Sequence, residues 1–338
     1  MPASTRELYT LFAEALAAMD ADRYADLFVP DGTLELPFRR PGIPAQWRGR
    51  EEIRAAAKQG WAAAPLRLHE VRTTAVHDTT DPDVLVAEHD LIGESTTSGL
   101  PFALRSLVVL AARAGRIEVL REYLDVVAVA RATDRLPELS AGLDRPVAVT
   151  AAPPPRPTPT AGSGPAEVFA RYRQAVLANS PDAIADLFAP DGVFEYPFTV
   201  PGMPERVEGR EQIRANLHRM LGAFRFEEYR NVRLHQATDR EVIIIEHDIA
   251  GTIVSTSRAH ALSYVYVLRA RDGQIVHLRD YVDLLTVAEL AGGLPALLAR
   301  FAPPRQLDRD DDEGDHADRD EGGDRQHDEH DAGSHAAP

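Results

Sequence analysis

Two acidic side chains, Glu122 and Asp280, occupy the same place in a short string that occurs twice, and their chemical type suits proton transfer. The string reads R-[ED]-Y-x-D and begins at Arg121 and again at Arg279. Successive side chains of a strand point to opposite faces, so Glu122 shares its face with the apolar Leu124. A carboxyl group among apolar side chains has a raised pKa, which suits a general acid or base near neutral pH. Ion pairing of each carboxylate with a neighbouring arginine is the other interpretation, and both remain open.

Three histidines are candidates to assist such a carboxylate. His89 and His247 lie in a second repeated string, E-H-D, where alternation along a strand directs the histidine away from both acids. The three side chains therefore cannot converge on one metal ion, and each histidine is either a pocket base or a hydrogen-bonded core residue. His218 lies on a predicted helix from which it could reach the same pocket. We expect neither a metal ion nor an organic cofactor.

Both strings belong to an internal duplication of the chain. Residues 24–54 and 184–214 are identical at 18 of 31 positions, and the two acidic strings recur at nearly the same offset. Similarity at a fixed offset is typical of tandem repeats. We therefore predict two copies of one domain, and any function must be compatible with two sites.

Composition and charge place the boundaries of these domains. We predict the first domain at 1–145, a proline-rich linker at 146–165 and the second domain at 166–305. Residues 306–338 hold 13 acidic side chains and three arginines, which is −10 of the net charge of −16. A segment so acidic and so poor in apolar side chains is predicted to be disordered, as a solubilising tail or, through its histidines, a weak site for divalent metal.

Several classes of protein are excluded by the same composition. The chain has no cysteine, which rules out disulfides, thiolate metal sites and a cysteine nucleophile. It has no basic run of the kind that binds nucleic acid, and no apolar stretch long enough to span a membrane. The first residues lack the order of a signal peptide. We expect a soluble, cytoplasmic protein whose partner is a small-molecule ligand.

The hydrophobic pattern predicts an α+β architecture in each copy. Three N-terminal helices are followed by four β-type runs at 66–76, 84–93, 102–113 and 116–130, with a tight hairpin at Ala114-Gly115. A short strand at 33–36 is expected after a Pro30-Asp31-Gly32 turn. Helices that cover one face of a curved, mainly antiparallel sheet enclose a cone with an apolar interior, which is suited to a small molecule.

The pockets of the two copies are predicted to differ. We assign six large side chains to the pocket linings: Phe38, Trp47, Trp61, Tyr196, Phe198 and Tyr264. At equivalent positions, Ser106 and Val108 of the first copy correspond to Tyr264 and Tyr266 of the second, and Lys58 corresponds to His218. The two sites therefore hold different ligands, or one copy only supports the fold.

The repeated strings also resemble those of a known family. LF-x-PDG-x-x-E-x-PF, PG-x-P, GRE-x-IR and a final R-[ED]-Y are similar to the nuclear transport factor 2-like superfamily, in particular its SnoaL-like polyketide cyclases and the phenazine-biosynthesis A/B proteins. The resemblance implies two tandem cone-like barrels paired through the convex faces of their sheets as an intrachain pseudo-dimer, with further homo-oligomerisation an open question. A glutamate in a similar R-E-[FY] context is a catalytic acid in the phenazine A/B proteins, which supports Glu122 and Asp280. The base of ketosteroid isomerases is absent, since Leu36 and Tyr196 stand at its position.

Two functions from different classes agree with these observations. The first is a cofactor-independent acid–base enzyme, a cyclase, isomerase or dehydratase acting on a small, partly apolar metabolite of secondary metabolism. The second is a non-catalytic protein that binds a small molecule or serves as a scaffold. This fold carries both kinds of function, so the site must decide between them.

Overall fold

The computed structural model describes residues 3–38, 42–141, 164–200, 202–299 and 301. Nearly all of the linker and the whole tail expected from the sequence lie outside these residues. Within them, the chain forms the same α+β unit twice, each time with one six-stranded sheet. The predicted fold class is confirmed. No helix in the described part of the chain is long and apolar enough to cross a membrane.

The first copy contains five helices and six strands within the described residues. Its helices are α1 (Thr5–Ala17), α2 (Ala21–Asp26), α3 (Arg50–Ala63), α4 (Val126–Ala132) and α5 (Leu136–Ala141). Its strands are β1 (Phe28–Glu35), β2 (Gln46–Arg48), β3 (Leu66–Asp78), β4 (Val84–Ser95), β5 (Pro101–Arg113) and β6 (Arg116–Leu124).

The second copy repeats this order, with one added 3-10 turn at Leu221–Ala223. Its helices are α6 (Pro165–Leu177), α7 (Pro181–Ala185), α8 (Arg210–Met220), α9 (Leu284–Leu290) and α10 (Leu294–Ala299). Its strands are β7 (Phe188–Glu195), β8 (Arg206–Glu208), β9 (Phe224–Gln236), β10 (Val242–Ile253), β11 (Ala259–Arg271) and β12 (Gln274–Val282).

Each sheet is a meander of long strands with one parallel neighbour. The order is β2-β1-β6-β5-β4-β3 in the first copy and β8-β7-β12-β11-β10-β9 in the second. Only β1–β6 and β7–β12 pair in parallel among the described strands. The predicted hairpin joins β5 to β6, and Ala114 and Gly115 have φ angles of 53° and 72°. Positive φ at both central residues is what a two-residue turn with the twist of its strands requires.

Two sequence-based boundaries were wrong. Pro30-Asp31-Gly32 is not a turn before a short strand, because β1 begins at Phe28 and carries these residues as an irregularity in its pairing. The strand passes close to its parallel neighbour at this glycine, because a Cβ at the equivalent Gly192 would lie 2.9 Å from the carbonyl oxygen of Ile275. The last strand stops at Leu124 rather than at residue 130, because the Asp125 carboxylate accepts a hydrogen bond from Ala128 N at 2.9 Å and starts α4.

The outer faces of the two sheets pack against each other, as expected for an intrachain pseudo-dimer. The rings of Phe38 and Phe198 meet edge to face at 5.9 Å, and each also contacts a tyrosine of its own copy. Buried aliphatic side chains of both copies form this shared core: Val86, Leu107, Val109, Val242, Ile244, Val265 and Val267. The outer faces of the two sheets therefore share one core. The inner face of each sheet packs against the helices of its own copy and forms a separate core.

A buried carboxylate joins the sheets on each side of this core. Arg121 donates to Glu246 from Nε at 2.5 Å and from Nη2 at 3.0 Å, and Tyr123 Oη donates to Glu246 at 2.5 Å. His235 Nε2 lies 2.8 Å from the same carboxylate. Burial alone would raise the pKa of Glu246, but Arg121 and His235 outweigh it and hold this pKa well below its usual range. Glu246 is therefore ionised and fully paired.

The contact is repeated in the other direction. Tyr281 Oη donates to Glu88 at 2.5 Å, Arg279 Nη2 lies 3.0 Å from Glu88, and His77 Nε2 lies 2.7 Å from it. Residue i of one copy thus meets residue j of the other, and j meets i, as in an isologous two-fold interface. The strings R-x-Y and E-H-D, which recur in both copies, encode the two halves of this interface.

We predict that Glu246→Ala lowers the free energy of unfolding by about 3–5 kcal/mol, because it leaves the Arg121 guanidinium buried without its counter-charge. Chemical denaturation measures this difference. The control is Glu208→Ala, which removes an exposed carboxylate paired with Arg206 and is expected to cost less than about 1 kcal/mol. Equal losses in the two variants would contradict the importance assigned to the buried pair.

Candidate active site

Asp280 lies inside the cone of the second copy. On β12 its neighbours Arg279 and Tyr281 face the first copy, so alternation directs Asp280 to the opposite face, across from Tyr266 on β11. Its side chain is 8% exposed, and Oδ1 is buried with no hydrogen-bond partner among the described residues. Burial raises the pKa of Asp280 from its ordinary value of 3.8 to about 8. This carboxyl group is therefore protonated at neutral pH.

His247 lies in the same interior, between aromatic rings. Its ring stacks on Tyr229 at 5.1 Å and on Tyr264 at 5.4 Å, and Tyr266 meets it edge-on at 4.5 Å. Burial lowers the pKa of His247 to about 3, so the imidazole is neutral. Its Nδ1 lies 3.4 Å from the carbonyl oxygen of Ile245, and Nε2 has no partner among the described residues.

Arg173 adds the cationic group of this interior. It projects from α6, with its guanidinium carbon 5.0 Å from the ring centroid of Tyr229 and 5.9 Å from that of Phe169. Such contacts over aromatic faces are attractive. Its Nε is buried and has no partner within the described part of the chain.

We call this set of side chains the second-copy chamber. It is formed by Phe169, Tyr172, Arg173, Tyr229, His247, Tyr264, Tyr266 and Asp280. Burial raises the pKa of each of its tyrosines, so all of them are neutral donors at neutral pH. The arrangement places neutral hydrogen-bond donors and one neutral carboxyl close together among aromatic rings.

The first copy builds a different interior at the equivalent positions. Glu122 is half-buried and lies across the sheet from Val108, where the second copy has a tyrosine. His89 is 1% exposed, and burial lowers its pKa to about 4. Its Nδ1 lies 3.3 Å from the hydroxyl of Tyr9, while Nε2 has no partner among the described residues. Fewer polar groups therefore converge here than in the second copy.

Comparison with known proteins gives the family. A model of the SnoaL-like domain matches the chain twice, at residues 9–119 and 169–278. Together the two matches cover well over half of the chain. The chain belongs to the SnoaL-like domain family. Both copies of the SnoaL-like domain hold their candidate acid on the last strand of the sheet.

Individual relatives are uncharacterised. An uncharacterised PhzA/B-like protein of Pseudomonas aeruginosa is 36% identical over 111 residues, which is 33% of this chain and 78% of that protein. The uncharacterised protein YesE of Bacillus subtilis is 27% identical over 127 residues, 38% of this chain and 86% of that protein. Among solved structures, a putative isomerase from Bacillus subtilis is 26% identical, covering 38% of this chain and 93% of its own, with a TM-score of 0.37.

Three of the residues expected at the pockets lie elsewhere. His218 does not reach the interior of its SnoaL-like domain: its side chain is 54% exposed and Nε2 lies 3.1 Å from Asp182. Phe38 and Phe198 do not line a cone, because they follow β1 and β7 and pack between the two copies. The error for Phe38 and Phe198 arises because a periodic pattern does not identify which of two buried faces a side chain enters.

The other pocket residues lie on the inner cores. Trp47 and Trp61 are half-buried at the core of the first copy, and the Trp61 ring contacts Tyr24 edge-on at 5.3 Å. Tyr264 and Tyr196 belong to the core of the second copy. The Tyr196 hydroxyl accepts a hydrogen bond from Asn216 Nδ2 at 2.9 Å, so it is already engaged.

Sequence reasoning missed Arg173, Tyr172 and Tyr229. Arg173 and Tyr229 correspond to Ala13 and Val71 in the first copy, so the repeat did not mark them. Positions at which the two copies have different residues were the available signal, because the chamber is found in one copy only. Within the described ranges, no three His, Asp or Glu side chains are placed to hold a metal ion.

A small polar cleft also opens between the copies. Its volume is about 130 Å³, and its lining includes Glu88, Arg105, Glu195 and Arg279. Most of these groups already bind each other or a neighbour, as Glu88 binds Arg279 and Glu195 lies 2.7 Å from His277. The second-copy chamber, with its unpaired polar atoms, is therefore the stronger candidate.

The raised pKa of Asp280 predicts how stability depends on pH. Between its unfolded value of 3.8 and about 8, the native state holds a proton that the unfolded state has lost, so the free energy of unfolding falls as pH rises. The slope reaches about 1.4 kcal/mol per pH unit. Asp280→Asn removes this contribution and is expected to gain stability relative to wild type between pH 5 and pH 8.

Denaturation at a series of pH values measures this difference. Asp31→Asn, which changes an aspartate with a 74% exposed side chain, is the matched control and should follow the wild type. Parallel profiles for wild type and Asp280→Asn would show that the carboxyl is ionised in the native protein.

Proposed function

We propose that the protein is a cofactor-independent acid–base enzyme of the SnoaL-like type and that its reaction takes place in the second-copy chamber. The observation that carries this proposal is the Asp280 carboxyl, buried among aromatic rings with Oδ1 unpaired and its pKa raised to about 8. A group with a pKa near the working pH can both give and regain a proton. The substrate class is a small, partly apolar metabolite, as a cyclase, isomerase or dehydratase would use.

In this proposal Asp280 is the proton donor. Its neutral carboxyl transfers a proton to an oxygen of the substrate, where negative charge develops during ring closure, double-bond migration or loss of water. The Asp280 carboxylate formed in this step then takes up the proton that a carbon of the substrate loses, so the neutral acid is restored. The neutral His247 has too low a pKa to act as a strong base, so it orients the substrate through Nε2. Tyr264 and Tyr266, on the strand that pairs with that of Asp280, hold the substrate in one conformation, which lowers the entropic part of the barrier.

The first copy has a supporting part in this function. Its Arg121 and Tyr123 bind Glu246 on β10, the strand that also carries His247. The first copy thus fixes the strand on which one wall of the chamber is built. Glu122, His89 and the pair Trp47 and Trp61 then line a second, less polar site that is not required for the reaction.

A binding protein without catalysis is the second candidate. The observation that favours it is the low pKa of His247, because the chamber then lacks a strong base to complement the acid. Asp280 would in that case only donate a hydrogen bond to the ligand.

Turnover by matched variants separates the two functions. Small cyclic ketones and hydroxyketones are incubated with wild type, Asp280→Asn and Glu122→Gln, and products are followed by mass spectrometry. We expect Asp280→Asn to lose about 10²–10⁴-fold in rate, the usual contribution of a general acid, and Glu122→Gln to stay within a few-fold. Turnover that survives Asp280→Asn would overturn the role of this acid. Ligand-induced thermal shifts in the wild type without any turnover would establish the binding protein instead.

A further inference from the structure

We propose that the ligand of the second-copy chamber is an organic anion with a flat, apolar body and that Arg173 binds its negative group. This inference deepens the proposed function and uses the same site, but it concerns binding rather than proton transfer. It rests on the charges of the chamber, on its unpaired polar atoms and on the arrangement of its rings.

The first support is an uncompensated positive charge. Arginine is cationic at every pH at which proteins are studied, and Arg173 forms no ion pair with any described residue. The acid and the imidazole of the chamber, Asp280 and His247, are uncharged at neutral pH, as are its tyrosines. A partly buried cation without a counter-charge is unfavourable, and removal of that cost favours an anionic ligand.

The second support is the distribution of unpaired polar atoms. Native proteins leave few buried donors and acceptors without a partner. The chamber holds four such atoms: Arg173 Nε, Tyr229 Oη, His247 Nε2 and Asp280 Oδ1. In the inner core of the first copy the one described atom of this kind is His89 Nε2. A carboxylate ligand can accept from the guanidinium and from a neutral hydroxyl or carboxyl at the same time.

The third support is the arrangement of the aromatic rings. The rings of Tyr229, His247 and Tyr264 lie in a row, inclined by 26° and 10° to each other, so they stack on one another and form an aromatic wall. Tyr229, Tyr264 and Asp280 each keep 8% of their surface exposed, so none of the three is completely sealed from solvent. Aromatic rings favour flat partners through offset stacking and edge contacts.

A cationic ligand fits the chamber less well. Rings around a carboxyl group are a common way to bind an ammonium group. Here the Arg173 guanidinium already covers the faces of Tyr229 and Phe169. The carboxyl of Asp280 is neutral, so it offers no charge to a cation. The guanidinium therefore repels a second positive group, and the neutral carboxyl does not attract one.

Binding measurements with four simple probes test the proposal. Benzoate and 2-naphthoate represent flat anions, benzamide is the neutral isostere of benzoate, and benzylammonium is the cation. Calorimetry or thermal shift on the full chain gives the dissociation constants. We expect the two anions to bind at least tenfold more tightly than benzamide, and benzylammonium to bind most weakly.

Variants then locate the binding group. Arg173→Gln and Arg173→Met are expected to weaken anion binding at least tenfold, and the two variants guard against an effect of altered packing. Arg171→Gln is the matched control, because it removes the same charge from α6 at a side chain that binds Gly273 O outside the chamber. This control should stay within twofold of the wild type.

Several outcomes overturn the proposal. They are equal benzoate binding by wild type and Arg173→Gln, binding of benzamide or benzylammonium as tight as that of benzoate, and the absence of anion binding by the wild type. Asp280→Asn separates this proposal from the acid–base function, since its amide still donates a hydrogen bond. Anion binding retained in Asp280→Asn supports the anion site even if no turnover is ever found.

Discussion

The two buried carboxylates between the sheets, Glu88 and Glu246, are the contacts on which the rest of the structure depends. Each is ionised and takes an arginine and a tyrosine from the last strand of the other copy. A buried charge that loses its partner is strongly destabilising, so these contacts favour one register of the two sheets. Because Arg279 and Tyr281 must face the interface, the residue between them must face the cone. The ion pairs that join the copies therefore also direct Asp280 inward.

One backbone thus carries two different interiors. The strands and the interface are the same in both copies, but Ser106, Val108 and Val71 of the first copy are replaced by tyrosines in the second. Those tyrosines exclude water from the acid of the second copy and supply no compensating charge, so its pKa rises. The equivalent glutamate, Glu122, is only half-buried. The two copies therefore share the same strands and interface, but most of the buried unpaired polar groups among the described residues lie in the second copy.

Much of the fold could be predicted from the sequence, because it rests on local patterns. Long runs of β-branched residues gave the strands, and Ala114-Gly115 marked a hairpin whose backbone requires positive φ. The alternation argument correctly placed Glu88 and His89 on opposite faces. It failed for Pro30-Asp31-Gly32, because turn statistics ignore the parallel neighbour that holds these residues in β1.

The site was less predictable, because its parts are distant in sequence. Nothing local shows that Glu246 binds Arg121, which is 125 residues away on the other copy. Nor could the repeat reveal Arg173, since its counterpart is an alanine. The inward acid was predicted from periodicity, but the raised pKa of its carboxyl depends on burial among four tyrosines from α6, β9 and β11.

The most direct test of this account is a titration of the Asp280 carboxyl carbon by ¹³C NMR, assigned from the signal that disappears in Asp280→Asn. The account predicts a midpoint near pH 8, several units above that of an exposed aspartate. A midpoint below about pH 5 would mean that the carboxyl is ionised in the native protein. The chamber would then hold no neutral acid, and the distinction drawn between the two copies would be contradicted.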